Sequence, residues 1–311
     1  MKKTLIGNGM SRRQALKHVF YSCVLLLNFS LSSGEFVEEN GGYGPVVKEE
    51  LIADADPPLI LNHDHFTLIT IPHSGFSIIL KALYALSQKE AIWHTRFPSS
   101  QYIPLEEGFL HTHFCLSPDL EANYASFPNL KRIVLIRDFR DVVVSMLYYI
   151  QDHPWPGMTE LQRKHFLRLN PQEQLLYLIN FEYDTKTVAR TELSPHQVSL
   201  VKIAEQALYY ARQPGTLTFL YEDFAPIHQG GCLALQKAQL RRLCNFLRLN
   251  IDNDTLSQLA LELNEHESQE DVLTGKIGLW RDYFTEAHRA AFKKKLGPIL
   301  IAFGYESDDR W

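Results

Sequence analysis

The sequence holds no Gly-x-x-x-x-Gly-Lys-Ser/Thr loop. With that loop go the phosphate-binding lysine and the magnesium-binding hydroxyl on which ATPases and GTPases depend. There are only four cysteines, Cys23, Cys115, Cys232 and Cys244, with no Cys-x-x-Cys pair and no His/Cys spacing of the zinc kind. No metal site can be read from them, and structural or incidental roles are expected of the thiols. Positive charge is in short supply, with 31 Lys and Arg against 36 Asp and Glu and a formal net charge of -5. A nucleic-acid partner, which needs a basic face, is therefore not expected. A local basic pocket for a phosphate ligand is still compatible with an acidic average. Long apolar runs are missing as well: the stretch from Val19 to Leu31 has about a dozen residues, short of the roughly 20 that a spanning helix requires.

What remains is ordinary for a globular protein, 45% hydrophobic and 22% charged, in a length of 311 residues that suits one large domain or two small ones. Lys2, Lys3, Arg12, Arg13 and Lys17 precede the short apolar run. That order fits a secretory signal, with Ser30-Leu31-Ser32 as a small-x-small cleavage candidate. Ser11 to Lys17 also looks like a twin-arginine export signal. Residues 1–33 are accordingly expected to be a signal peptide or a short membrane anchor, which implies export or membrane association. The alternative is the N-terminal helix of a cytoplasmic protein. Residues 34–58, with Gly41-Gly42, Gly44-Pro45 and Pro57-Pro58, have the composition of a linker. The folded domain is expected over 59–311.

Two stretches read as a buried strand, a turn and a helix. In the first, the β-rich run Phe66 to Ile71 stops at Pro72, passes through His73-Ser74-Gly75-Phe76, and enters a breaker-free helical run from about Ser77 to Leu86. Backbone N–H groups at such a helix start suit anionic oxygens. In the second, Arg132 to Ile136 leads into Arg137 and then a helical run from Asp138 to Tyr149. Arg137 stands where a buried strand ends, at the edge where open α/β sheets bind ligands. Ser145 follows eight positions later, about two helical turns on. The planar fork of arginine suits oxyanions. The competing reading of this segment is a surface ion pair of Arg137 or Arg140 with Asp138 or Asp141.

Together these segments resemble the sulfotransferase family that uses 3'-phosphoadenosine 5'-phosphosulfate (PAPS). Pro72, Ser74 and Gly75 match the family's donor loop, with Ser77 in place of its second threonine. Arg137, Asp141, Val142, Val144 and Ser145 match the arginine and the Asp-Val-x-Val-Ser helix of its second motif. Leu217 to Phe224 resembles the strand ending in Tyr-Glu-Asp, and Gly275 to Thr285 the C-terminal Gly-x-x-Gly-x-Trp-x-x-x-Phe-Thr block. The resemblance runs from about Leu61 to Tyr305. It implies a P-loop-like three-layer α/β fold with a mostly parallel central sheet flanked by helices.

By the same resemblance, Ser74, Gly75, Phe76 and Ser77 hold the 5'-phosphosulfate, Arg137 and Ser145 the 3'-phosphate, and Tyr221 lies by the adenine. Gly275 belongs to the same nucleotide site. His113, in Leu110-His111-Thr112-His113, falls at the histidine that deprotonates the acceptor, a task suited to a group with an ordinary pKa near 6.5. The competing reading of His111 and His113 is a same-face pair on a strand, as metal ligands or surface residues. The implied reaction moves a sulfuryl group from PAPS to a hydroxyl or amine of a small molecule, carbohydrate or protein, releasing 3'-phosphoadenosine 5'-phosphate (PAP), without a metal. In this family the region from Gln151 to Pro214 commonly shapes the acceptor pocket, whereas its aromatics are equally accounted for by helices packing on the sheet.

The pattern is broken in four places. The loop lysine is His73, the lysine before the catalytic histidine is His111, the adenine-stacking aromatic is Ile78, and Leu273-Thr274 replaces Arg-Lys before Gly275. Loss of a fixed cation at the bridging oxygen costs about 3 to 4 kcal/mol of transition-state stabilisation. His73 replaces it only when protonated. Two further readings therefore stand beside the enzyme: a catalytically silent exported binding protein of the same fold, and a nucleotide kinase-like phosphoryl transferase.

Overall fold

The computed structural model describes residues 66–87, 91–94, 109–113, 130–153, 158–181, 199–265 and 274–311. The expected signal or anchor segment 1–33, the linker 34–58, and Cys23 and Cys115 lie outside the described residues. Five strands form one sheet: β1 (Phe66–Thr70), β2 (Ala91–His94), β3 (Phe109–His113), β4 (Lys131–Ile136) and β5 (Thr216–Leu220). Their order is β2-β3-β1-β4-β5, and every pairing is parallel.

β1 is buried throughout and β4 over its last four residues, as expected of strands covered on both faces. Alternation sends Phe66, Leu68, Ile133, Leu135 and Phe219 to one face. There they pack with α1 (Phe76–Ser87), α7 (Leu233–Leu247) and α8 (Asn253–Glu262). Ile69, Ile71, Val134 and Ile136 face the other way. That side is covered by α2 (Phe139–Asp152), α4 (Pro171–Asn180), α5 (Leu200–Ala211) and α10 (Glu286–Ala302). The short helices α3 (Glu160–Phe166), α6 (Tyr221–Phe224) and α9 (Trp280–Tyr283) complete the element order. The result is the expected three-layer α/β architecture. No described helix is long and apolar enough to cross a membrane.

Local sequence sets the helix starts that matter below. Asp138 caps α2 by accepting from the Arg140 N–H at 2.9 Å. Asn170 forms a capping box with Glu173, and Pro171 takes the first helical position. Of the aromatics in the middle region, Phe181 and Tyr210 are buried in the core and Tyr209 is exposed. For Tyr210, packing in the core against the sheet is the role the structure gives, and Phe181 packs on Tyr177. Cys232 and Cys244 are free thiols, the first exposed and the second buried.

The connection leaving β1 runs to the β2–β3 side and the one leaving β4 to the β5 side. Such a divergence opens a crevice outside the carboxyl ends of neighbouring strands, here β1 and β4. Register places Thr70 opposite Leu135 and His113, and Ile136 opposite Leu220. The residues that follow these strands therefore emerge along one edge.

Candidate functional site

After β1 the chain turns through Pro72-His73-Ser74-Gly75 and enters α1 at Phe76, one residue earlier than the sequence suggests. His73 adopts a left-handed φ of 58° and Gly75 one of 81°. A Cβ on Gly75 would run into the edge of the Tyr221 ring, so glycine is required there by both conformation and space. Ser74 is turned inward. Its hydroxyl donates to the Ile71 carbonyl at 2.7 Å and its N–H to the same carbonyl at 3.3 Å. The expectation that Ser74 offers its groups to a phosphosulfate therefore meets an internal competitor: the turn itself consumes them. Gly75, Phe76 and Ser77 stand at the start of α1, where first-turn N–H groups lack intrahelical acceptors. Ile78, in place of an aromatic, is buried and packs into the core beneath α1.

Arg137 follows β4 and is only 2% exposed. Its Nη1 donates to the His73 carbonyl at 2.9 Å. Its Nη2 donates to the carbonyls of Thr274 at 2.9 Å and Lys276 at 3.2 Å. Nε is buried and has no hydrogen-bond partner among the described residues. The guanidinium also lies over the Tyr221 ring, 4.8 Å from its centroid. One side chain thus ties the loop after β1 to the segment around Gly275.

The imidazole of His73 reaches α2. Its Nδ1 is 3.0 Å from the Ser145 hydroxyl. Its ring meets Tyr149 edge-on at 5.2 Å, and Tyr149 in turn stacks on His153 at 4.6 Å. Ser145 and Tyr149 lie four residues apart on one face of α2, and His153, its C-cap, follows directly after the last turn.

The segment 274–280 is held from two further sides. Tyr221 donates its hydroxyl to the Gly275 carbonyl at 2.9 Å and also hydrogen-bonds the side chain of Gln229. A Cβ on Gly275 would strike that Gln229 side chain. Asp141, buried on the first turn of α2, accepts from the N–H groups of Gly278 at 2.7 Å and Trp280 at 2.9 Å. Burial raises the Asp141 carboxyl above its ordinary value, against the lowering influence of Arg137. Lys276 engages the site through its carbonyl, while its side chain is exposed.

The surface ion pair weighed from the sequence turns out to be a buried one. Arg140, 2% exposed, pairs with Asp138 at 2.7 Å and with Glu306. Its guanidinium lies in the corner made by the rings of Trp280, at 4.0 Å, and Trp311, at 4.5 Å, which stand edge to face. Beside it, Glu222 accepts from the Asp138 N–H at 2.9 Å and the Tyr305 hydroxyl at 2.7 Å. Burial pushes the Glu222 carboxyl up to about 7, and the hydrogen bonds from Asp138 and Tyr305 only partly oppose that.

Of the residues expected in the site, His73, Gly75, Arg137, Ser145, Tyr221 and Gly275 meet at the carboxyl edge. His113 ends β3 opposite Thr70, at the same edge, while the side chains of His111 and His113 and all of Leu273 lie outside the described residues. Asp141 was legible only as a motif match. Glu222 and Gln229 were not singled out, and no local pattern marks Gln229. Chemically, the arrangement gathers an imidazole, a hydroxyl, a guanidinium fork and a helix start, a set suited to oxyanions.

No protein-family model and no curated protein matches this chain. Among solved structures it is similar to mouse sulfotransferase SULT7A1 complexed with PAP, with a TM-score of 0.49 and 14% identity over 76% of this chain and 84% of that one. It is also similar to retinol dehydratase in a complex with retinol and PAP, with a TM-score of 0.41 and 15% identity over 76% and 81% of the two chains. A third is the sulfotransferase from Alicyclobacillus acidocaldarius, with a TM-score of 0.40 and 14% identity over 78% and 96%.

Proposed function

We propose that this chain is a divergent PAPS-dependent sulfotransferase, with the nucleotide held at the carboxyl edge of the sheet and a hydroxyl or amine as acceptor. The observation that carries this reading is the meeting of His73, Arg137, Ser145, Tyr221 and Gly275, linked pairwise by contacts from 2.9 to 4.8 Å. They come from four separate segments, and the motif resemblance assigns every one of them to the donor. Core packing alone has no need of that coincidence.

In this reading the 3'-phosphate takes over the Arg137 fork from the carbonyls of Thr274 and Lys276. Those bonds already carry the guanidinium's charge, and a phosphate adds the opposite charge on the acceptor, so the exchange favours the anion. Ser145 adds a hydroxyl, and Tyr221 lies beside the adenine. The N–H groups at the start of α1, with Ser77, hold the 5'-phosphosulfate. His73, as imidazolium, faces the oxygen that bridges sulfur to the nucleotide. His113 accepts the acceptor's proton as the acceptor atom bonds sulfur. The bond from sulfur to the bridging oxygen breaks, and PAP leaves with the electron pair. The acceptor is a small molecule or a carbohydrate or protein hydroxyl. Residues 1–33 direct export or membrane association.

A second reading is favoured by one specific feature: both Nη groups of Arg137 already donate to main-chain carbonyls, and an imidazole stands where the family has a lysine. On this reading the chain binds PAP and does not turn PAPS over. Calorimetry with PAP on the full chain, beside Arg137→Ala, tests what the two readings share. Micromolar binding that disappears in the variant supports a nucleotide site, and a folded wild type that binds nothing removes both. Release of PAP from PAPS in an acceptor screen then separates enzyme from silent binder.

A further inference from the structure

Glu222 occupies a peculiar position. It is the residue after Tyr221, and it bonds the N–H of the residue after Arg137. It therefore clamps the tips of β4 and β5 together directly behind the Arg137–Tyr221 pair. Its other oxygen receives the Tyr305 hydroxyl, which ties in the segment after α10. The hydrogen-bond donors it meets are neutral. The nearby cation Arg140 is already committed to Asp138 and Glu306. The charged and titratable groups around Glu222 are Asp138 and Arg140 from α2, Arg137 at the end of β4, and Tyr305 and Glu306 from the C-terminal segment. Asp138 opposes a negative charge on Glu222.

We propose that Glu222 is a positioning residue whose proton is coupled to the ligand, so that binding an anionic nucleotide at Arg137 drives proton uptake at Glu222. The physical reason is that two negative charges, one on the ligand and one on a buried carboxylate just behind the anion-binding arginine, oppose each other in a poorly screened setting. Protonation removes one of them. It leaves the clamp intact, since a neutral carboxyl still accepts from the Asp138 N–H and donates to the Tyr305 oxygen. The burial that lifts this carboxyl to about 7 places the coupling in the neutral range. The inference rests on the nucleotide reading and adds to it a regulation by pH. Opposition of two like charges at an effective dielectric near 20 should lower affinity on the order of tenfold as Glu222 ionises.

The test is calorimetry of PAP binding to the full chain at pH 7 in two buffers of different ionisation enthalpy, for wild type and Glu222→Gln. Every other titrating group is common to the two proteins, so the difference isolates Glu222. Expected is a larger proton uptake in wild type, and a loss of affinity between pH 6 and pH 8 that is about tenfold steeper in wild type than in the variant. Equal proton counts in the two proteins, both binding PAP, would overturn the coupling and leave the nucleotide reading standing. Failure of folded wild type to bind PAP would overturn both. Should Glu222→Gln not fold, Tyr305→Phe removes one hydrogen bond to the ionised form. It should move the proton uptake to higher pH, and an unmoved uptake profile would count against Glu222.

Discussion

His73 Nδ1 stands 3.0 Å from the hydroxyl of Ser145, across the crevice between the loop after β1 and the face of α2. The contact joins a residue that departs from the family pattern to one that keeps it. On the proposed reading, His73→Ala removes the imidazole and its charged form from the bridging oxygen. It should lower kcat for sulfuryl transfer about 10²- to 10³-fold, the usual effect of deleting one transition-state donor. His73→Lys should raise kcat above wild type at pH 8, where an imidazole with an ordinary pKa near 6.5 is neutral and a lysine is charged. Steady-state kinetics across pH 6 to 8 check both, and a His73→Lys enzyme slower than wild type at pH 8 would refute the cationic role.

Gly75 tests the geometry of the turn independently of catalysis. Gly75→Ala places a Cβ against the Tyr221 ring on a residue held at φ 81°. The expected loss is about 1 to 3 kcal/mol from backbone strain alone, with displacement of Tyr221 added. Urea unfolding measures the loss. PAP affinity should fall with it, because Tyr221 also holds Gly275.

Arg140 is the most committed cation in the described structure. Arg140→Met leaves Asp138 buried without its partner and takes the cation away from the rings of Trp280 and Trp311. Removing one member of a buried pair typically costs about 3 to 5 kcal/mol. Arg140→Lys should recover little of it, since an ammonium can neither fork onto Asp138 nor present a planar face to an indole. Unfolding followed by tryptophan fluorescence reads both variants, and a Lys variant as stable as wild type would show that charge alone suffices.

The ligand-free protein should also show Glu222 in its stability. Folded Glu222 keeps its proton up to about pH 7, whereas its ordinary value is 4.5. Between those values the folded state binds the additional proton, so stability falls as pH rises through the window and levels off above it. The size is on the order of 3 kcal/mol. Glu222→Gln, which cannot ionise, should match wild type near pH 5 and exceed it at pH 8. Urea midpoints at the two pH values decide, and a variant less stable than wild type at pH 8 would mean the ionised carboxylate is favoured.

The architecture was largely legible from two strand-loop-helix segments. Their apolar runs are continuous enough to demand a sheet covered on both faces, and Pro72 and Asp138 mark where each strand gives way to a helix. Arg137 was recognisable because it sits one residue beyond a buried strand. Its partners were not, since the carbonyls of His73, Thr274 and Lys276 converge only after distant segments fold together. Arg140 misled for a similar reason. Charges at positions 138 and 140 near a helix start look like solvated groups, and nothing local reveals that Trp280 and Trp311 will enclose them. Ser74 showed the limit of motif reading: the residue type matches a phosphate loop, while the conformation directs its hydroxyl into the turn.

The parallel order of the sheet has a consequence for how this protein is made. The chain must lay down β1, cross to the β2–β3 side, return past β1, and add β4 and β5 before segment 274–278 can close on Arg137 and Asp141. Contacts of such long sequence separation form slowly and late. On the proposed reading, the nucleotide site is fully braced only once residues beyond 278 have emerged, so a nucleotide has little to template in the early steps. Its influence falls on the reverse path, where a bound anion retards unraveling without hastening assembly.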